Sequence, residues 1–427
     1  MKVGSMNILW LINVALPESS RLMNQDPIPL GGWLVNASAA LAEKNNIILS
    51  VSFPKNNSKD VVVLKGKKIC YYVFPSVHAK DIISNMQNIY LEKILDMVKP
   101  DLVNIFGTEF AHTLDMVNIC HNKNIKATIT IQGLTSIISQ HYLAGLPTCV
   151  QNRFTFRDLV KRDNLKQQEI KFKKRGLLEI EALKKTDHII GRTTWDKACT
   201  SQINPKAQYH YCNETLRGEF YKHTWYMDKC EKHSIFVSQG SYPIKGLHFM
   251  LEAMPIILKQ FPDTKLYIGG QNIIKTDTLL EKLKASTYGK YIKELISKYN
   301  LIDNIVFTGV LGERQMCARF LKSHVFVSSS SIENSPNSLG EAMILGVPCV
   351  ASYVGGVGDM MTHREEGFIY PYDAPYMLAY YVCEIFANDK LALKISCSAK
   401  NRAKATHDRE KNVKQLVAIY EEIMQET

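Results

Sequence analysis

Two carboxylates, Glu333 and Glu341, stand with seven residues between them in the stretch Ser328–Met361, SSSSIENSPNSLGEAMILGVPCVASYVGGVGDMM. Between them Asn337, Ser338, Leu339 and Gly340 fall at the expected start of a helix. Unpaired backbone N–H groups there, aided by the helix dipole, make a ready anion site. An ionised carboxylate accepts two or more hydrogen bonds, which suits sugar and ribose hydroxyls. A lysine, Lys245, ends the loop Gly240-Ser241-Tyr242-Pro243-Ile244-Lys245-Gly246 before another helix. A lysine so placed can neutralise a pyrophosphate as it leaves; a solvated surface lysine is the plainer alternative. Hydroxyls plus a diphosphate describe one ligand, a nucleotide sugar.

These residues need elements to hold them. His324–Val327 reads as a short buried strand, and Asn334–Asn337, with Pro336, as a loop. From Ser338 the pattern turns helical, with Leu339, Ala342, Met343 and Leu345 able to share a face. Gly346-Val347-Pro348 stops that helix. Val347–Ser352 reads as the next strand and Gly355-Gly356 as a turn. Glu341 is expected in the first helical turn and Glu333 on the loop before it.

The context SxxEN(S)PNSLGEAMxxGxPCVAS resembles the signature of retaining glycosyltransferases of family 4, with the GT-B fold. The resemblance covers most of the chain and is strong from about Ser234 to Gly367. It implies a two-domain α/β protein, two Rossmann-like doubly wound domains facing across a cleft. It implies backbone contacts to phosphate from Asn337, Ser338 and Leu339, ribose hydroxyls on Glu341, and the donor sugar on Glu333. Lys245-Gly246 resembles the family's lysine-glycine pair, and Phe307-Thr308-Gly309 its base-pocket lining. Family members carry an arginine a few residues before the lysine; here that position is Gly240, and Arg192 or Arg217 is expected to supply the charge. Many members have a histidine before glycine where this chain has Gln132-Gly133.

The 427 residues suit two domains, and 46% hydrophobic with 22% charged content is globular. No apolar run is long enough for a membrane helix. The apolar Asn7–Leu16 reads as a first buried strand rather than a signal peptide. Ten cysteines show no metal spacing, so buried thiols in a reducing cytosol are expected. The net charge of +11 suggests an anionic partner, though no nucleic-acid module is present. With no Asp-x-Asp, His-Glu-x-x-His or Walker loop in the sequence, donor binding without a metal is expected, and no cofactor beyond the nucleotide diphosphate sugar.

Along the chain, Pro17–Pro29 reads as irregular; Gly31-Gly32 then leads into a helix over Leu34–Ala42. That glycine pair resembles the family's first glycine loop. Asn46–Phe53, Pro100–Phe106 and Ala127–Ile131 read as strands and Ile83–Val98 as a helix. Glu109, His112, Gln132 and Arg192 follow strand ends, where open α/β sheets bind ligands, and are acceptor-side candidates. Gln151–Lys185 is strongly basic, with Leu159, Leu165, Phe172 and Leu177 as sparse apolar anchors. It reads as surface helices, either a solvated face or a peripheral contact with anionic lipid. Residues 1–213 are expected as the acceptor domain and 214–405 as the nucleotide-sugar domain, with a helix in 406–427 packing back on the first.

The expected function is transfer of a sugar from a UDP- or GDP-linked donor to a hydroxyl of a glycan or lipid-linked acceptor. Bacterial surface polysaccharide synthesis at the cytoplasmic membrane face is the expected setting. The alternatives are a non-catalytic nucleotide-sugar-binding scaffold and another GT-B enzyme, such as a sugar-nucleotide epimerase.

Overall fold

The computed structural model describes residues 5–27, 31–56, 58–76 and 86–426. Two compact units are present. One comprises Met1–Ser136, Lys174–Arg217 and His407–Thr427, and the other Ile137–Lys173 and Gly218–Thr406.

The first unit holds an eight-stranded sheet, ordered β3-β4-β2-β1-β5-β6-β7-β8. Its strands are β1 (Met6–Leu11), β2 (Ile47–Lys55), β3 (Val62–Lys65), β4 (Cys70–Pro75), β5 (Leu102–Phe106), β6 (Lys126–Thr130), β7 (His188–Gly191) and β8 (Gln208–Tyr211). All neighbours pair in parallel except β3 with β4. The central strands are apolar on both faces, as helix-covered parallel strands must be; β5 is buried throughout. The helix Arg409–Gln425 belongs to this unit, and its Tyr420 hydroxyl accepts from Trp10 Nε1 (3.0 Å) and Asn104 Nδ2 (2.6 Å).

The second unit holds a six-stranded, all-parallel sheet, ordered β11-β10-β9-β12-β13-β14. Its strands are β9 (Glu231–Val237), β10 (Lys265–Gly269), β11 (Ile305–Gly309), β12 (Ser323–Ser328), β13 (Cys349–Ser352) and β14 (Phe368–Tyr370). β9 and β12 lie side by side, with Val325 opposite Ile235 and Phe326 opposite Phe236. Phe236, Phe320 and Phe326 are fully buried and pack ring against ring.

Several sequence expectations need correction. Residues 137–173, placed in the first domain, group with the second unit. The stretch read as irregular after Leu16 contains a helix, Pro17–Leu22, with Pro17 at its first position where a missing N–H costs nothing; Pro29 lies outside the described residues. Strands β3 and β4 were not anticipated. The stretch from Thr276 to Tyr299 holds two helices, Leu279–Lys284 and Thr287–Lys298, because the Ser286 hydroxyl caps a new N-terminus by accepting from Gly289 N–H. The basic segment is three helices, Thr148–Gln151, Phe156–Lys161 and Leu165–Lys184. Leu159 and Leu177 are exposed there instead of serving as anchors.

Candidate active site

The loops that carry Lys245 and Glu333 leave the carboxyl ends of β9 and β12, adjacent strands whose further neighbours, β10 and β13, lie on opposite sides. In open α/β sheets such a point forms the ligand crevice. Lys245 Nζ lies 2.5 Å from Glu333 Oε1, a contact that spans 88 residues of sequence. Both side chains are largely shielded, at 22% and 13% exposure. Burial pulls the lysine's pKa down, but the Glu333 charge and the Tyr242 ring oxygen more than offset it, so the ammonium stays charged above its usual range.

The serine run builds this pair. Ser330 Oγ donates to Glu333 Oε1 (2.7 Å), and Ser329 Oγ donates to the Lys245 carbonyl (3.1 Å). Ser331 N–H donates to the Ile244 carbonyl (2.8 Å), and Ser352 Oγ to the Ser330 carbonyl (2.6 Å). Lys245 sits in a short 3₁₀ turn, and Gly246 follows in the left-handed region (φ 66°). A Cβ at Gly246 would lie 1.8 Å from the Ser329 carbonyl oxygen, so only glycine lets the two loops meet. Gly355 closes the site similarly: its φ is 51°, and a Cβ there would lie 1.7 Å from the Glu333 carbonyl oxygen, which accepts from Gly356 N–H.

The helix after Glu333 runs Asn337–Leu345 and stops at Gly346 in the left-handed conformation (φ 88°). No side chain caps its N-terminus from Pro336. Leu339 N–H turns back to the Pro336 carbonyl (2.9 Å), so its role toward an anion is a shared one, and the Leu339 side chain is fully buried. Glu341 starts the second turn instead of lying in the first, and is 3% exposed. Gly309, at the end of β11, has φ 75° and open space where a Cβ would stand.

Gly240 does not have room for the arginine that the resemblance implies. A Cβ there would lie 2.8 Å from both Ile268 Cγ2 and Leu247 Cδ2.

In the first unit the remaining candidates form two groups. Asn13, inside the apolar run Asn7–Leu16, joins Glu109 and His112. Its Nδ2 donates to Glu109 Oε2 (3.0 Å) and its Oδ1 meets His112 Nε2 (2.7 Å). Burial pushes Glu109 up to about 6, with the Glu179 charge adding to the shift. Burial pushes His112 down to about 4, so its ring is neutral at pH 7. Gln132 and Arg192 meet on Glu214, whose Oε1 accepts from Gln132 Nε2 and Arg192 Nη1, each at 2.7 Å. Arg192 is therefore buried and paired with Glu214 within the first unit. Gly31 (φ 67°) begins the helix Gly32–Ala42, and the Arg217 stem lies where a Cβ on Gly32 would stand. Asn13, Glu214 and the serine run were missed as partners, because only their position after strand ends hinted at a role.

Two Rossmann-like units with these strand-end sites define the class, and the comparisons agree. Residues 226–402 match the family model described as "Glycosyl transferases group 1". The putative glycosyltransferase YtcC of Bacillus subtilis is 26% identical over 215 residues, 49% of this chain and 51% of that protein. The chain spans about half the length of the curated relatives it matches. Sucrose-phosphate synthase of Thermosynechococcus elongatus superposes with a TM-score of 0.71 at 16% identity, over 98% of this chain and 99% of that one. Anabaena HepE, in complex with UDP and glucose, superposes at 0.67 and 13% identity, over 97% and 99%. The fold is GT-B.

Proposed function

We propose that the protein transfers a sugar, with retention of anomeric configuration, from a UDP- or GDP-linked donor to a hydroxyl of a glycan or lipid-linked acceptor. The observation that carries this reading is the Lys245–Glu333 pair at adjacent strand ends, followed by the helix that begins at Asn337. Lys245 offsets the charge of the leaving diphosphate. The N–H groups of Asn337 and Ser338, with a shared contribution from Leu339, receive phosphate oxygens. Glu341 holds the ribose hydroxyls, Glu333 the donor sugar, and the base lies by Gly309. Glu109, His112, Gln132 and Arg192 shape the acceptor side, and Gly31-Gly32 the glycine loop. Donor binding uses these groups without a metal, and bacterial surface polysaccharide synthesis at the cytoplasmic face is the setting. UDP and UDP-glucose in complexes of HepE, a structural neighbour, favour a uridine nucleotide.

The test is thermal stabilisation by UDP, GDP and their sugars, followed by product analysis with glycan and lipid-linked acceptors. A ligand that binds only the native state raises the melting temperature. Stabilisation lost in Lys245→Met supports the donor site, and absence of any nucleotide effect on wild type overturns it.

A further inference from the structure

Two short helices in the second unit have their apolar faces turned outward. On Phe156–Lys161 the exposed apolar residues are Phe156, Leu159 and Val160, at helical spacing on one face, while the fully buried residue is an aspartate, Asp158. Leu279–Lys284 buries nothing, and its Leu279, Leu280 and Leu283 are exposed, Leu279 at 75%. The two helices pack together although some 120 residues separate them. Asp158 bolts them in place. Its Oδ2 accepts from Thr287 Oγ1 (2.6 Å) and Thr287 N–H (3.1 Å), just beyond the second helix, and its carboxylate also caps its own helix with Thr155. Six exposed apolar side chains on two helices joined by a buried, satisfied carboxylate are a built feature, since such side chains in water are unfavourable and mark a contact.

The charge around it selects the partner. Residues 153–162 and 275–284 carry seven basic and three acidic side chains. Two of the three acids are committed, Asp158 to Arg157 and Thr287, and Glu281 to Lys275 (2.9 Å), which leaves Asp277 against the basic excess. Among the described residues, Lys161, Arg162, Lys282 and Lys284 are exposed and take no ion pair. A second copy of the chain would bring this excess charge against itself in a two-fold contact. An anionic bilayer accepts both features, apolar side chains at the acyl boundary and lysines among the headgroups.

We infer that the joined helices Phe156–Lys161 and Leu279–Lys284 form a docking surface for an anionic lipid bilayer. The inference stands apart from the donor site, and its test needs no catalysis. The full chain is sedimented with vesicles of phosphatidylcholine alone or with phosphatidylglycerol, at low and high salt. Wild type is expected to bind the anionic vesicles and to be released by salt. Leu279→Ser/Leu280→Ser/Leu283→Ser and, separately, Lys282→Glu/Lys284→Glu are expected to weaken binding about tenfold or more, with melting temperatures unchanged because these side chains are exposed. Wild type left in the supernatant at low salt, or variants that bind like wild type, overturns the inference. So does a wild-type dimer in sedimentation equilibrium that the triple serine variant dissolves.

Discussion

Lys245 and Glu333 form a 2.5 Å ion pair where the loops after two adjacent strands meet. On the proposed reading a bound diphosphate competes with Glu333 for the ammonium, so donor binding exchanges one counter-charge for another. Lys245→Met is predicted to abolish stabilisation by UDP or GDP and to lower kcat/KM by about 10²-fold or more. Glu333→Gln should keep the response to the free nucleotide and lose the extra response to the nucleotide sugar. Without ligand, each single variant leaves a partner shielded and unpaired. The double variant should therefore be less destabilised than the sum of the singles, by about 1–3 kcal/mol in chemical denaturation. Additive losses would mean that the pair does not form.

Gly246→Ala tests the meeting of the two loops. The substitution places a methyl group 1.8 Å from the Ser329 carbonyl oxygen at a backbone φ of 66°. Strain of this kind costs about 1–3 kcal/mol before the clash is counted. The expected result is lower stability together with loss of the nucleotide response, because Lys245 moves with its loop. Full donor binding in a variant of normal stability would show that the loop tolerates displacement.

Strand ends, helix starts and stops around the donor site were legible because they rest on local chemistry. The apolar run of β12, Pro336 before the helix and Gly346 after it declare themselves within a few residues. What the serine run does was not legible. Ser329 and Ser331 bond to the Lys245 loop, which lies some 85 residues away in the chain. Asn13, within an apolar run, joins Glu109 to His112 nearly 100 residues on. Asp158 was one acid in a basic segment, and its partner Thr287 is 129 residues away. Hydrogen-bond partners set by tertiary packing leave no periodic trace in sequence, and neither did the antiparallel edge strand β3.

Tyr420→Phe tests how the C-terminal helix is fixed within the first unit. The Tyr420 hydroxyl receives Trp10 Nε1–H and Asn104 Nδ2–H, all three side chains being fully buried. Phenylalanine leaves two buried donors without this acceptor. The predicted loss is about 2 kcal/mol or more in denaturant unfolding, with the nucleotide response intact because the donor residues lie in the other unit. A loss below about 0.5 kcal/mol would mean that the donors find other acceptors.

The acid limb of the stability curve follows from four buried histidines. His112, His248, His324 and His407 are each pushed down to about 4, in every case chiefly by burial. Unfolded, each titrates near 6.5, so between those values the unfolded chain binds protons that the folded chain refuses. Their contribution is complete above pH 6.5 and declines as pH falls toward 4, by up to about 1.4 kcal/mol per pH unit for each histidine. Glu109 has the opposite sign. Its folded value of about 6 lies above its ordinary one, so the benefit of the neutral carboxyl is present below pH 4.5 and lost as pH rises through 6. Melting temperature is therefore predicted to fall steeply from pH 6.5 to 4, and Glu109→Gln should raise it at pH 7 to 8, by the equivalent of about 2 kcal/mol. A flat profile across that acid range would mean that these rings are hydrated, and a destabilised Glu109→Gln at pH 8 would mean that the charged carboxylate is held by partners stronger than Asn13.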